Sequence, residues 1–282
     1  MKKSLIIFAT IILTLNSCEK IDKDVFFTIG SEHEYQFSDI DLYDTSAHIL
    51  YFKNPQEYLN DMYENTFTFY NNKHIIYQGS FMPGYSSTIP DGPFIMSPSL
   101  CGNHALKIEN FKPGNQDIRK NQKMIDALRR NNLLHSGLSI SSSSIEINDK
   151  LLTLKFTIKN QDQSNLMIID LDKTGINLFH YFTSGIHIYD ITKNEVFSSN
   201  IEHQSPDPWN SWDINWLTEL KAGDSKEYTI VYTLNNQLTP GNYETTFHFP
   251  GLTTQVTKEQ LYHGNSRIWM GDISLKKGII IQ

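Results

Sequence analysis

Residues 151–159 read Leu-Leu-Thr-Leu-Lys-Phe-Thr-Ile-Lys, and this stretch constrains the fold more than any other. Leu152, Leu154, Phe156 and Ile158 alternate with Thr153, Lys155, Thr157 and Lys159. Successive side chains of a strand point to opposite faces, so the pattern predicts a β-strand with one face in a core and the other in water. On a helix the same residues would spread apolar and charged groups around the whole circumference. Asn148-Asp149-Lys150 precedes the strand, and Asn-Asp tolerates the positive φ of a tight turn, so residues 139–147 are expected to complete a hairpin. Strand-like segments follow at 166–171, 186–191, 195–198, 226–234, 243–249 and 267–275, with turn residues and no helical pattern between them. Short strands at such spacing predict a β-sandwich over residues 133–282.

Residues 25–132 are expected to form a separate β-rich domain. Residues 40–53 have strand character, and 66–70 and 74–78 flank Asn71-Asn72-Lys73 as a second hairpin. Short strands are expected at 94–96 and 105–108. The glycines and prolines of residues 79–93 predict a long irregular loop between them. The clearest helix lies at 117–131, where Ile118, Met124, Ile125 and Leu128 approximate one apolar face. Asp117 can cap its start, and Asn131-Asn132 can end it. The expected fold class is therefore mainly β, with two β-rich domains, the second a sandwich, and one helix closing the first.

The first residues bear on location. Lys2 and Lys3 precede an apolar run from Leu5 to Leu15. A bilayer span needs about 20 apolar residues, so eleven read as a secretory signal. Leu15-Asn16-Ser17-Cys18 resembles the lipobox of bacterial lipoproteins, in which the cysteine is lipidated and becomes the mature N-terminus. The resemblance implies that residues 1–17 are removed and that Cys18 carries the acyl chains. Residues 18–24 would then form a charged tether, similar to the surface-export signals of some Gram-negative lipoproteins. Two or more chains anchor a protein stably where one does not. The implied setting is the cell envelope, as an outer-membrane lipoprotein. With Cys18 lipidated, Cys101 has no disulfide partner, and the fold must be held by packed cores. One cysteine and one nearby histidine, His104, do not supply a metal's ligand set, so Cys101 is expected to be a small buried apolar residue.

Two loops carry a further resemblance. Leu220-Lys221-Ala222-Gly223-Asp224-Ser225 and Leu238-Thr239-Pro240-Gly241-Asn242-Tyr243 each precede a strand. Over roughly residues 136–275 this pattern resembles the immunoglobulin-like modules of secreted bacterial proteins. It implies an immunoglobulin-like sandwich in which Tyr243 returns its hydroxyl to backbone as a tyrosine corner. Such modules serve as adhesins, inhibitors and spacers, so the likeness speaks to fold rather than to activity.

Charge and motifs narrow the function. Losing Lys2 and Lys3 takes the net charge from −7 to −9, an acidic balance that argues against nucleic acid as partner. There is no Gly-x-Ser-x-Gly elbow, phosphate-cradling glycine loop or His-Glu-x-x-His helix. The ten histidines are scattered, with His180 and His187 too far apart on β structure for a ligand pair. Asp39 with Asp41, and Asp170 with Asp172, could each offer two carboxylates to calcium, well short of the six to eight oxygens it takes. No catalytic residue, metal or cofactor is expected.

Trp209, Trp212 and Trp216 fall within Pro206–Leu217, and they are three of the chain's four tryptophans. Read as a strand, Trp212 and Trp216 share a face with Ile214 and are expected in the core. Trp209, flanked by Asp207 and Asn210 in a proline-containing loop, is then the exposed ring. Tryptophan beside carboxylate and amide suits a sugar face or a protein interface. The functional expectation is a non-catalytic envelope lipoprotein binding a glycan or protein ligand through Trp209, Asp207 and Asn210. The alternatives are a peptidase inhibitor or accessory subunit using residues 79–93 or 203–211, and a hydrolase without a recognisable motif.

Overall fold

Aromatic hairpins build the first half of the chain. The computed structural model describes residues 25–56, 62, 65–88, 90–97, 102–111, 117–252 and 256–282. The signal segment, the tether with Cys18, and Cys101 lie outside the described residues. In chain order the first half holds β1 (Val25–Ile29), β2 (His33–Gln36), β3 (Ile40–Asp44), β4 (Ile49–Phe52), β5 (Thr66–Asn71), β6 (His74–Pro83), β7 (Phe94–Ser97) and β8 (Ala105–Lys107). These are followed by α1 (Gln122–Arg130) and β9 (Leu134–His135). One sheet has the order β2-β1-β5-β6-β7 and the other β8-β4-β3-β9. Phe27 of the first sheet stands 6.3 Å from Phe52 of the second, and Tyr35 4.9 Å from it. Met124 and Leu128 of α1 join the same core.

β4 is a continuous apolar run, Ile-Leu-Tyr-Phe, because its sheet is covered on both faces. Tyr43, Leu50 and Phe52 face the aromatic core of the first half, whereas Leu42, Ile49 and Tyr51 join the core of the second. Asn72 and Lys73 both take positive φ in the β5–β6 turn, as expected of a tight hairpin.

Two expectations need correction here. The strand β6 continues through Gly79 to Pro83, so the first part of the presumed loop is sheet. The Cβ of any larger residue at 79 would meet the Phe67 ring at 2.3 Å, so glycine is there to admit an aromatic neighbour. The presumed helix at 117–131 is a 3-10 turn over Ile118–Lys120, capped by Asp117, and then α1, capped by Asn121. The break at Asn121 turns Ile118 out to solvent, and the buried face becomes Met124, Ala127 and Leu128.

The second half contains β10 (Leu138–Asn148), β11 (Leu151–Asn160), β12 (Asn165–Ile169), α2 (Leu171–Tyr181), β13 (Ile186–Asp190), β14 (Glu195–Ser198), β15 (Leu217–Leu220), β16 (Ser225–Thr233), β17 (Gly241–Pro250), β18 (Tyr262–His263), β19 (Ser266–Ile268) and β20 (Asp272–Ile281). β11 is the strand of the opening pattern. Leu152, Leu154, Phe156 and Ile158 are fully buried, and the intervening residues are not. It lies at the centre of the sheet β10-β11-β16, which faces β14-β13-β17-β20. Phe156 packs 4.8 Å from Phe247 across the gap between the two sheets. The two sheets therefore pack face to face as a β-sandwich. Tyr243, at the start of β17, donates its hydroxyl to the Thr239 carbonyl at 2.8 Å, making the expected tyrosine corner.

The sandwich is not unadorned. The β11–β13, β14–β16 and β17–β20 connections supply β12, β15, β18 and β19, which join as a further sheet, β15-β12-β19-β18. The first half docks against this sheet. Trp269 Nε1 donates to Ser46 Oγ at 3.1 Å, and Lys258 Nζ reaches Asp41 at 3.1 Å. The presumed single strand at 267–275 is in fact two, split at Gly271 with φ 98°. There a Cβ would meet the Ala47 Cβ at 2.6 Å, so close approach of the two halves requires glycine. The expectation of strands without helices also fails at α2. Asp170 caps it by accepting from the Asp172 amide, and Gly175 at φ 71° interrupts its regular pattern.

Candidate functional site

The tryptophan segment forms a loop, not a strand. After Pro206, which is buried, the Asp207–Pro208 peptide is cis and Asn210 has φ 65°. Asp213 Oδ1 accepts from the Asn215 amide at 2.9 Å and starts a 3-10 turn over Ile214–Trp216. Asp is favoured at such a start because its carboxylate satisfies an amide that the turn leaves unpaired. The turn replaces the period of two with a period near three, so the expected shared strand face of Trp212 and Trp216 does not exist.

The two rings nevertheless share a site. Trp212 and Trp216 are half-buried, with their inner faces against the sandwich core and Trp216 6.2 Å from the Phe182 ring. Together with Asp207, Asp213 and Gln260 they line a shallow depression of about 460 Å³. Trp209 is 76% exposed on the loop beside it. Of the three expected ligand residues, Asp207 lines the depression, whereas Trp209 and Asn210 stand outside it. Trp212, Trp216 and Gln260 are the lining residues that the strand reading missed. Gln260 is distant in sequence and carries no local signal.

The acidic pairs are engaged by other groups of the protein. Lys226 Nζ lies 2.7 Å from Asp170 and 2.9 Å from Asp172, where the calcium reading would put a metal. Tyr228 also donates to Asp170 at 3.2 Å. Asp41 pairs with Lys258, while Asp39 accepts from the Gln36 amide, so these two carboxylates serve different partners. Among the described residues no group of three or more His, Cys, Asp or Glu side chains could hold a metal ion.

One serine, histidine and aspartate come close together on the outer face of β17 and β20. Ser274 Oγ is 2.9 Å from His248 Nδ1, and Asp272 is 3.9 Å from the same nitrogen. A nucleophilic triad needs serine on one ring nitrogen and carboxylate on the other, so that the proton passes through the imidazole. Here both partners address Nδ1, and Asp272 is already neutralised by Lys107 at 2.5 Å. The His248 imidazole and the Lys107 ammonium hold the Asp272 carboxyl below its usual range, against the opposing effect of burial. The arrangement is an ion-pair network, not a charge-relay geometry.

No family model matches the chain, and no curated protein matches it. Among solved structures it is similar to a β-glucosidase from Kluyveromyces marxianus in complex with glucose, with 10% identity and a TM-score of 0.22, over 51% of this chain and 14% of that one. The yjhA protein from Bacillus subtilis has 9% identity and a TM-score of 0.22, over 44% of this chain and 81% of that one. β-Glucosidase 3B from Thermotoga neapolitana has 11% identity and a TM-score of 0.21, over 51% of this chain and 17% of that one. The chain thus spans less than a fifth of either glucosidase. At these scores neither fold nor activity is carried over from them.

Proposed function

We propose that the protein is a non-catalytic lipoprotein of the cell envelope, tethered through Cys18, that binds glycan at the depression beside Trp209. The observation that carries this reading is one surface bearing an exposed indole, two half-buried indoles and two carboxylates. A sugar ring offers apolar C–H faces, which stack on indole, and hydroxyls, which donate to the carboxylates and the amide of Asp207, Asp213 and Gln260. The core behind Trp212 and Trp216 holds their rings in place before ligand arrives, which lowers the ordering cost of binding. The lipobox resemblance supplies the tether, and the two-sided packing of the first half onto the second would carry the site as a rigid unit.

The test is retention on a panel of insoluble polysaccharides, comparing the wild-type chain with Trp209→Ala and Trp212→Ala. Retention of the wild type on at least one polysaccharide, with loss in both variants, is expected. Failure of the wild type to be retained on any, or retention of both variants at wild-type levels, would overturn the proposal.

A further inference from the structure

The depression beside Trp209 differs in charge from a larger concavity of the molecule. That concavity lies between the two halves of the chain and has a volume of about 860 Å³. Each acid lining it has a basic partner. Lys107 holds Glu109 at 2.6 Å and Asp272 at 2.5 Å, Arg119 holds Asp117 at 2.7 Å, and Lys193 holds Glu244 at 3.1 Å. The tryptophan depression has no such neutralisation. Its lining contains Asp207 and Asp213 and no lysine, arginine or histidine. Both aspartates are exposed, and neither has a cationic partner among the described residues. Asp213 commits Oδ1 to the Asn215 amide, and its Oδ2 has no partner among the described residues. Lys173 of α2 comes close to the turn, but its ammonium donates to the Leu217 carbonyl and not to either acid.

The indoles act in the same direction as the carboxylates. The face of an aromatic ring is its negative side, and among aromatic side chains indole attracts a cation most strongly. Trp212 and Trp216 are held against the sandwich core while they line the depression, so their rings are in place before ligand arrives. A cation seated there is attracted by ring faces and by carboxylates together, and more strongly once water is displaced. A neutral sugar gains the stacking and the hydroxyl contacts but leaves both acids without a counter-charge. A sugar acid meets two like charges and is repelled. Charge therefore separates sugars that would otherwise stack equally well.

We propose that the sugar bound at this depression is an amino sugar carrying a free ammonium group, as in glucosamine. This rests on the reading of the depression as a glycan site and names the class of glycan. The ammonium meets the carboxylates of Asp207 and Asp213, the C–H face of the ring rests on the indoles, and a ring hydroxyl meets the amide of Gln260. Acetylation of the amine removes the charge and, with it, the preference.

The experiment is calorimetric titration of the whole soluble chain with a glucosamine trimer, at low ionic strength and about pH 6, below the ordinary range of an α-amine. Its N-acetylated form, a glucose trimer and trilysine serve as comparisons. The glucosamine trimer is expected to bind, and each of the others to bind at least about tenfold more weakly. A chain of net charge −7 attracts any polycation to some degree, so the site itself is read from an Asp207→Asn/Asp213→Asn variant. Asparagine starts a turn as well as aspartate does, and both positions are exposed, so this variant keeps the loop. It is expected to lose about tenfold in affinity for the glucosamine trimer and to bind the glucose trimer as the wild type does. Equal binding of the charged and neutral trimers, or insensitivity to loss of the two carboxylates, would overturn the amino-sugar assignment and leave the glycan reading standing. Trilysine binding as tightly as the glucosamine trimer would overturn the choice of a sugar. Absence of binding by every trimer would overturn both readings.

Discussion

Arg267 of β19 reaches Asp44 of β3 across the junction of the two halves, with Nη2 donating to Oδ2 at 2.8 Å and both side chains 1% exposed. The same Nη2 lies 3.3 Å from Asp162, and the guanidinium sits 5.5 Å from the Tyr51 ring centroid. Asp44 spends its other oxygen on the amide and hydroxyl of Ser46, at 2.9 and 2.6 Å. Gly137 leaves room for this, since a Cβ there would lie 2.3 Å from the Asp44 carboxylate. Replacing Arg267 by methionine keeps much of the volume but strands the buried Asp44 carboxylate without a cation, while Asp162 keeps His135 at 2.9 Å. Removing one partner of a buried pair costs about 3 to 5 kcal/mol. Urea unfolding of Arg267→Met near neutral pH is expected to show a loss of that size, and a loss below about 1 kcal/mol would mean the clasp contributes little.

Two buried imidazoles set the sign of the pH dependence. Burial, aided by the Arg119 guanidinium, lowers His48 from 6.5 to about 3, and burial lowers His180 to about 4. The unfolded chain takes up both protons near its ordinary value of about 6.5, while the folded chain resists until far lower. Stability from these groups is therefore complete above about pH 6.5 and is lost as the pH falls toward about 3 to 4, at up to roughly 1.4 kcal/mol per pH unit for each ring. Asp117 and Asp162, held below their ordinary range by Arg119 and His135 respectively despite burial, act in the same direction at lower pH. The urea midpoint is expected to fall between about pH 7 and about pH 5, and to fall less in a His48→Gln/His180→Gln variant. Identical midpoints at both pH values would contradict this account.

Asp170 and Asp172 look equivalent in sequence and are not equivalent in the fold. Asp170 is buried, caps α2, holds Lys226 through both oxygens at 2.7 Å and accepts from Tyr228. Asp172 is exposed over 68% of its side chain. Asp170→Ala is expected to cost about 2 to 4 kcal/mol by removing the helix cap and leaving the buried Tyr228 hydroxyl without its acceptor, while Lys226 keeps Asp172. Asp172→Ala is expected to stay within about 0.5 kcal/mol, as exposed pairs do. Thermal melts with added calcium and with chelator should coincide, because the Lys226 ammonium fills the position between the carboxylates. A calcium-dependent rise in melting temperature would overturn that assignment.

These three cases show which parts of the structure were legible in the sequence. Strict alternation at 151–159 marked a half-buried strand, and the Pro-Gly-Asn-Tyr turn marked the Tyr243 corner, because each is a local pattern with a local cause. The sheet β15-β12-β19-β18 was not legible, since its members come from three separate connections and pair only through tertiary contact. α2 was hidden by Gly175, which breaks the helical period. The tryptophan loop misled for a related reason: Trp212, Ile214 and Trp216 alternate as in a strand, yet Asp213 caps a turn there. Even so, Trp209 was rightly expected to be exposed, from its prolines and polar neighbours. The concavity between the two halves of the chain draws on residues some 230 positions apart and leaves no local trace.

The proposed tether makes its own prediction. The lipobox resemblance assigns acylation to the Cys18 thiol, and each buried methylene contributes about 0.8 kcal/mol to membrane affinity. Cys18→Ala removes the thiol and every chain it would carry. The variant is expected to leave the membrane fraction and appear soluble in the periplasm or medium, with the folded body unchanged by circular dichroism. Continued co-sedimentation with membranes after a high-salt wash would show that some other feature holds the protein there.

The three tryptophans of the loop are separable by stability and by binding together. Trp209 is mostly in water, so Trp209→Ala is expected to change stability by no more than about 0.5 kcal/mol. Trp212 has one face on the sandwich core, so Trp212→Ala is expected to cost about 1 to 3 kcal/mol, less than the cost of truncating a fully buried indole. Both changes should abolish retention on whichever polysaccharide holds the wild type, because one removes the exposed ring and the other a wall of the depression. Chemical denaturation and retention measured on the same preparations distinguish the two effects. A Trp209→Ala chain that loses stability as Trp212→Ala does would mean the ring packs rather than projects, and the proposed sugar face would go with it.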